Sequence, residues 1–413
     1  MAGGSVTRVN LRLLTEADAA SSTLISQHAF GLPTDGRPAF TIGPEMRRWG
    51  IFDGETLVAK ANDRAYDSWI GGCRVPTAGV AGVVVAPEYR GAGLARQVMT
   101  HLLHAARDRG AVIATLFRTA PALYRSLGFE QVAELVDGSL PTSALRGIRP
   151  AHTTLRRATA EDATSIRNIY ARVAASGSCL LARDGAAFEV GDRELIAATD
   201  GVTLAIDENG GAVGYVSWNR GSGYGGSATL SVVDLQAVTG DGYRALLSAV
   251  GSFDAVTPTV RIRTSGTDPI HWLIPGAGWS VSEVSPYMLR VIDLAGAVAA
   301  RGWPTGLTAE IDLDVEDPLC PWNSGSHRLV LRGGTGHLED LGGGPPEHVG
   351  VESGGADTAA TAVTLPGLAL LYAGGVTSSA LRRTGLITGG SAGSDTLLDA
   401  AFAGPRPAVL DYF

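Results

Sequence analysis

One stretch of this chain occurs twice. Leu11-Arg12-Leu13-Leu14-Thr15-Glu16-Ala17-Asp18-Ala19 stands near the start, and Leu155-Arg156-Arg157-Ala158-Thr159-Ala160-Glu161-Asp162-Ala163 stands far downstream. In each copy a short extended Leu-Arg segment meets a threonine, and an aspartate follows three residues later. Threonine with an acid three residues on is a helix N-cap signature, because hydroxyl and carboxylate both satisfy free backbone amides. Each copy therefore opens strand, cap, helix. Matching hairpin signals follow. Asp53-Gly54-Glu55 separates Trp49–Phe52 from Thr56–Ala59, and Asp207–Gly211 separates Thr203–Ile206 from Ala212–Tyr215. Two α/β units of one ancestry are expected, over residues 1–150 and 151–290.

From residue 291 to the end the pattern changes. Trp303-Pro304, Gly333–Gly336 and Gly342–Pro346 cut the chain into short pieces. Strands are expected at Ala309–Val315, His327–Leu331 and Ala362–Leu365, and helices at Pro366–Tyr372 and Ser378–Thr384. This third region, 291–413, reads as a separate α+β domain. Asp312, Asp314, Glu316 and Asp317 alternate with apolar residues as a solvated strand face does.

With 45% hydrophobic residues the chain can build real cores, and a net charge of −8 provides no basic stripe for nucleic acid. No apolar run reaches the ~18 residues that cross a bilayer, and the first residues do not read as a signal peptide, so a cytoplasmic protein without membrane partners is expected. Cys73, Cys179 and Cys320 are too far apart for a metal or disulfide framework and are expected as buried thiols. His101 and His104, one helical turn apart, lack the further ligands a metal needs, so no metal is expected.

The first unit carries the chemistry. Gly79–Val85 is a β-rich run ended at Pro87, and Arg90-Gly91-Ala92-Gly93-Leu94-Ala95 follows. Leu94, Val98, Leu102 and Ala105 then lie at helical spacing, up to a stop at Gly110. Glycines let the backbone approach a ligand, and the partly positive helix start holds a pyrophosphate. Neither a Walker loop nor a Rossmann fingerprint is present. Next come the buried-type strand Val112–Phe117, a short helix at Ala120–Ser126, and Tyr124-Arg125-Ser126-Leu127-Gly128-Phe129.

Arg-x-x-Gly-x-Ala after a strand, with the later Tyr-x-x-x-Gly-Phe, resembles the GNAT acetyltransferases. Pro76-Thr77-Ala78-Gly79 before the strand, and the bare aromatic end Leu410-Asp411-Tyr412-Phe413, extend the likeness to the Eis family. The resemblance implies two tandem GNAT domains, α/β in class, followed by an α+β domain like sterol carrier proteins. It implies acetyl-CoA as co-substrate and assembly as a homohexamer. The cofactor would lie on Val83, Val84 and Val85 and on Gly91, Ala92, Gly93, Leu94, Ala95 and Arg96, near Thr119 and Ala120. Tyr124 would be the general acid, and the terminal carboxylate of Phe413 the general base. An α-carboxyl with a pKa of about 3.5 is ionised at neutral pH and both attracts an ammonium and accepts its proton. A backbone amide near Val83–Val85 would stabilise the developing oxyanion.

The chain departs from the family at three places. Thr119 and Ala120 replace Ser-Glu, the loop is less basic, and Tyr412 is not an acid. These changes weigh against polycationic acceptors, and Asp35, Glu45 and Asp411 remain as candidate amine-binding acids. The second copy lacks the loop. No arginine precedes Gly240, and Asp241 should repel phosphate, so one active site per chain is expected. The implied function is N-acetylation of a small amine, aminoglycoside-like or polyamine. The alternatives are a protein-lysine acetyltransferase and a lipid-binding protein acting through the third domain.

Overall fold

The computed structural model describes residues 9–31, 43, 45–274, 276, 278–342 and 360–413; Asp35 lies outside them. The first unit comprises β1 (Val9–Leu13), α1 (Ala19–Phe30), β2 (Met46–Asp53), β3 (Thr56–Ile70), β4 (Cys73–Val85), α2 (Leu94–Asp108), β5 (Ile113–Phe117), α3 (Pro121–Ser126) and β6 (Glu130–Pro141). The second comprises β7 (Thr154–Arg157), α4 (Ala163–Ala175), β8 (Ser178–Leu181), α5 (Asp192–Ala197), β9 (Gly201–Ile206), β10 (Ala212–Asn219), β11 (Thr229–Ala237), α6 (Gly240–Gly251), β12 (Thr259–Thr264) and β13 (Ser280–Val291). The third comprises α7 (Leu294–Ala300), β14 (Ala309–Val315), β15 (Gly325–Arg332), β16 (Thr335–Asp340), β17 (Thr361–Val363), α8 (Leu365–Ala373), α9 (Ser378–Arg383), β18 (Ile387–Gly389) and α10 (Ala392–Ala401).

The repeat holds at the level of atoms. In the first unit the Asp18 carboxylate accepts from the backbone and hydroxyl of Thr15, and Arg12 binds it with two nitrogens at 2.7 and 2.8 Å. In the second, Asp162 takes the same bonds from Thr159 and from Arg156, again at 2.8 and 2.7 Å. Each cap opens a single 3-10 turn before the α-helix begins. Both hairpins form, β2 with β3 and β9 with β10.

The two units do not build two sheets. One 13-stranded sheet runs β1-β2-β3-β4-β5-β13-β6-β12-β11-β10-β9-β7, with β8 attached to β3. β13, from the far end of the second unit, lies between β5 and β6 of the first. Its Tyr287, Met288 and Leu289 are fully buried there. The third region forms its own five-stranded sheet, β16-β15-β14-β17-β18. Its helix α8 packs on β13 and β6, and one core joins Tyr66, Ile113 and Tyr287 to Val363, Leu368 and Val409. The expected strand at 362–365 ends at Val363, because the Thr364 side chain caps α8 by accepting from Gly367.

Two readings of side chains are corrected. Asp317 is not on a solvated face: it is fully buried and pairs with the buried Arg290 of β13 at 2.8 Å. Asp312 and Asp314 do face outward, paired with Arg328 and Ser326. Cys73 is exposed, as it sits at the start of β4 next to the tight turn Gly71-Gly72, while Cys179 and Cys320 are buried.

The bonds from Arg156, and those from Thr159, hold the Asp162 carboxyl down at about 2. Its folded value lies below the ordinary carboxylate range. Its stabilisation is therefore complete above the unfolded pKa and fades as pH falls toward about 2. Replacing Asp162 by alanine should cost about 1 kcal/mol at pH 7. In thermal unfolding the deficit should narrow as the pH drops through this window; a deficit that stays constant down to the acid limit would contradict the assignment.

Candidate active site

The site begins where two parallel strands part. β4 and β5 pair only through Thr77–Ile113, Ala78–Ala114 and Gly79–Thr115. β4 then runs on to Val85, held by β3 on its other side. A bulge interrupts that pairing opposite Lys60–Asn62. Gly82 forms it at φ +57°, and a Cβ there would sit 2.6 Å from Asn62 Nδ2. A bulge turns the strand and leaves a residue unpaired. The β5-facing edge of Val83–Val85 is thus free of β5, and a wedge opens between the strands.

The loop after β4 closes one end of the wedge. Pro87–Tyr89 makes a 3-10 turn, and the Tyr89 hydroxyl donates to Asp53 Oδ2 at 2.9 Å. Gly91 and Gly93 adopt φ +83° and +77°, with open space where a side chain would begin. The glycines are needed for conformation, not for lack of room. Gly93 caps α2 without a side-chain acceptor, so the first amides of a 15-residue helix face outward beside exposed Gly91 and Ala92. Leu94 anchors the helix in the core, Ala95 is half-buried, and the exposed Arg96 reaches the Ser126 carbonyl at 3.3 Å.

Across the wedge, Arg118 donates its backbone amide to Pro286 of β13, and exposed Thr119 and Ala120 lead into α3. Ala120 is the N-cap position and Pro121 the first helical residue. Tyr124 is buried, only 4% exposed, on the core formed by Leu94, Val98, Leu127 and Phe129. Burial raises its hydroxyl pKa, while a side-chain hydrogen bond with Thr119 works the other way. The phenol is therefore held protonated at neutral pH.

The chain end arrives at the same place. The Phe413 ring lies 5.3 Å from Tyr66, 5.6 Å from Phe117 and 6.3 Å from Tyr287, centroid to centroid. A Cβ on Gly79, the last residue of β4 paired to β5, would come within 3.1 Å of it. Tyr412, largely exposed, stacks on Phe117 at 4.5 Å. The terminal residue is thus docked at the apex of the wedge.

Asp411 does not face the wedge as a free acid. Arg183 Nε binds its two oxygens at 2.9 and 3.1 Å, and Tyr170 donates to it at 3.3 Å. The same Arg183 pairs with Asp234 of β11, which also accepts from Tyr215 at 2.6 Å. Sequence reasoning missed Arg183 and Asp234, and only the charge of Arg183 directly after the apolar Cys179–Ala182 hinted at them. Glu45 lies at the entry to β2, where its backbone carbonyl accepts from Ala65. His101 packs edge-on against Trp49, and His104 bonds the Leu319 carbonyl, so each has a structural partner.

In the second unit the corresponding wedge has a different content. β11 and β12 pair in parallel from Thr229–Thr259 to Val232–Ile262 and then part. The Thr239 side chain caps α6, and the Asp241 carboxylate accepts from the amides of Ala151, His152 and Thr153. Asp241 is committed to the linker between the units rather than pointing at a ligand. A cavity of about 670 Å³ remains, lined by Leu180, Gln236, Tyr243, Trp272 and the tail residues Arg406 and Leu410, among others.

Comparison with known proteins agrees with this architecture. Residues 10–132 and 179–291 each match a family model described as an acetyltransferase (GNAT) domain, and residues 294–410 match a sterol carrier protein domain. A protein described as an uncharacterized N-acetyltransferase of Streptomyces avermitilis is 25% identical over 298 residues, covering 69% of this chain and 72% of its own. The crystal structure of a GCN5-related N-acetyltransferase from Kribbella flavida is 32% identical and covers 98% of both chains, with a TM-score of 0.79. Eis1 from Mycobacterium abscessus shares the fold at 23% identity and TM-score 0.74, over 98% of this chain and 100% of its own. Two acetyltransferase segments on one sheet, a sterol carrier-like third domain and the Kribbella likeness place the chain: it is an acyltransferase and belongs to the GCN5-related N-acetyltransferase family.

Proposed function

We propose that the chain is an Eis-like N-acetyltransferase that moves the acetyl group of acetyl-CoA to a primary amine at the first-unit wedge. What supports this reading is the parting of β4 and β5 beyond Gly79, with Phe413 against Gly79 and Phe117 at that point, and Tyr124 buried on the neighbouring core beside Leu94 and Val98. The residues present fit the cofactor. The Gly91–Arg96 turn offers outward amides at a helix start for a pyrophosphate, and Val83–Val85 offers an unpaired strand edge for the amide-bearing arm. Asn62 Oδ1, buried beside the bulge, has no hydrogen-bond partner among the described residues and is left as a further acceptor.

When bound, acetyl-CoA supplies an activated acetyl carbonyl and a thiolate leaving group. The protein's own residues do the rest. A backbone amide near Val83–Val85, on the strand edge turned away from β3, would polarise the carbonyl. The Tyr124 hydroxyl, kept protonated by burial, gives its proton to the departing sulfur. The Phe413 carboxylate takes a proton from the incoming ammonium, directly or through water, and its charge draws that ammonium in.

The acceptor side is aromatic. Tyr66, Phe117, Tyr287, Tyr412 and Phe413 pack at the apex, and Phe188 lies against Tyr66. Asp411 is bound by Arg183, which it shares with Asp234. Such a wall suits a single ammonium on an apolar body, held partly by ring faces, better than a polyamine or aminoglycoside needing several acids. A peptide lysine meets the same description.

Thiol release from acetyl-CoA with a panel of arylalkylamines, polyamines, aminoglycosides and lysine peptides tests this reading; release with none of them would end it. Gly93→Ala forces an L-residue into left-handed geometry at about 1–2 kcal/mol. It should raise the KM for acetyl-CoA roughly tenfold with kcat little changed. Gly147→Ala, at a glycine with ordinary backbone and open space, serves as the neutral control. Tyr124→Phe should lower kcat by about 100-fold or more without raising that KM; a loss under about threefold would remove Tyr124 as the acid. Deleting Phe413, or adding one glycine after it, should likewise depress kcat, and unchanged turnover in both would exclude the terminal carboxylate.

A further inference from the structure

We propose that Arg183, in the unit without a phosphate loop, is the positioning residue for the catalytic chain end: it holds Asp411 so that the Phe413 carboxylate faces the first-unit wedge. This rests on the reading of Phe413 as the base.

The geometry is built from three distant parts of the chain. Arg183 stands just after β8, Asp234 on β11, and Asp411 two residues before the end. Arg183 lies between the two carboxylates and also covers the face of Tyr170, its guanidinium carbon 3.7 Å from the ring centre. The Arg183, Asp234 and Asp411 side chains are 24%, 11% and 19% exposed. The approach to this cluster is fixed as well. Ala408 donates to the Ser178 carbonyl at 2.8 Å, and Leu410 is buried among Leu180, Val202, Leu204 and Tyr215 of the second unit.

Reach makes the anchor effective. Two residues of extended chain span at most about 7 Å. Once Asp411 is pinned, the terminal carboxylate is confined to a small volume, and the Phe413 ring against Tyr66 and Phe117 selects a position within it. Charge makes the anchor conditional. Without Arg183, two poorly hydrated carboxylates would face each other with no cation between them. Like charges at short range are strongly unfavourable when poorly hydrated, and the residues beyond the buried Leu410 are the part free to move away.

Location explains why this unit suits the task. Asp234 stands two residues past the last parallel pair, Val232 with Ile262. Ala81 stands two residues past the equivalent pair in the first unit, Gly79 with Thr115. The wedge that receives the cofactor in one copy receives the chain's own end in the other.

The experiment combines turnover with release of C-terminal residues by carboxypeptidase A, on the full chain and with the best amine from the panel above. Arg183→Ala should lower kcat at least tenfold, leave the KM for acetyl-CoA within twofold, and speed the release of Phe413 and Tyr412 at least tenfold. The double variant Arg183→Ala/Asp411→Asn, which removes the facing charge, should recover part of kcat. Combining Arg183→Ala with deletion of Phe413 should cost no more than the deletion alone, because both act through one carboxylate. Arg183→Lys, which keeps a cation, covers the case in which the alanine variant does not fold, and should retain more kcat than alanine or, alone, fall between parent and deletion. Unchanged release of the end residues would overturn the proposal. So would faster release with unchanged kcat, or effects that multiply with the deletion. If deletion of Phe413 is itself silent while Arg183→Ala speeds release, the fault lies in the Phe413 reading and not in the anchor.

Discussion

Everything in this molecule depends on one strand crossing between its halves. β13 is made by the end of the second unit but completes the first unit's sheet between β5 and β6. The pairing satisfies the free edges of two buried strands that would otherwise present unpaired backbone, a costly state in a core. It also carries Tyr287 to the apex of the wedge and Arg290 to its buried partner Asp317 in the third domain. The three parts are therefore not beads on a string. A change in β13 is felt at the site, at the sheet and at the interface with the third domain.

That interleaving gives the duplication its meaning. Both copies keep the caps, the hairpin and the parting parallel strands. They differ in what fills the parted strands. In the first copy left-handed glycines turn the loop and the helix start has no side-chain cap. In the second, the helix start is capped by Thr239, Asp241 is bound to the linker, and an arginine between two aspartates receives the tail. The second copy thus packs tail residues Arg406, Leu410 and Asp411 against its own parted strands.

What was legible in the sequence follows the range of the interactions. Thr15 with Asp18, and Thr159 with Asp162, are caps closed within a few residues, so local chemistry announced them. Gly91 and Gly93 were legible because few other residues tolerate their backbone angles, and the helix after them because its apolar face repeats. β13 was not singled out in the sequence, and nothing local could tell which strands it would join, since its partners lie more than 140 residues away. Arg183 was invisible for the same reason: its two aspartates are 51 and 228 residues distant. Asp317 was misread because alternation looks alike on a solvated face and beside a buried ion pair. The docking of Phe413 came to notice only through family resemblance; the apolar Ala408-Val409-Leu410 before it was a weak local cue.

One wedge per chain, closed by the chain's own end, is the proposed place of transfer. A crystal structure with coenzyme A bound tests it most directly. One coenzyme per chain is expected, its pyrophosphate on the amides of Gly91 to Arg96. Its sulfur should lie within about 3.5 Å of the Tyr124 hydroxyl. The Phe413 carboxylate should face the space where the acetyl carbon would be. Coenzyme bound in the second unit, or a terminal carboxylate turned away from the sulfur, would contradict it.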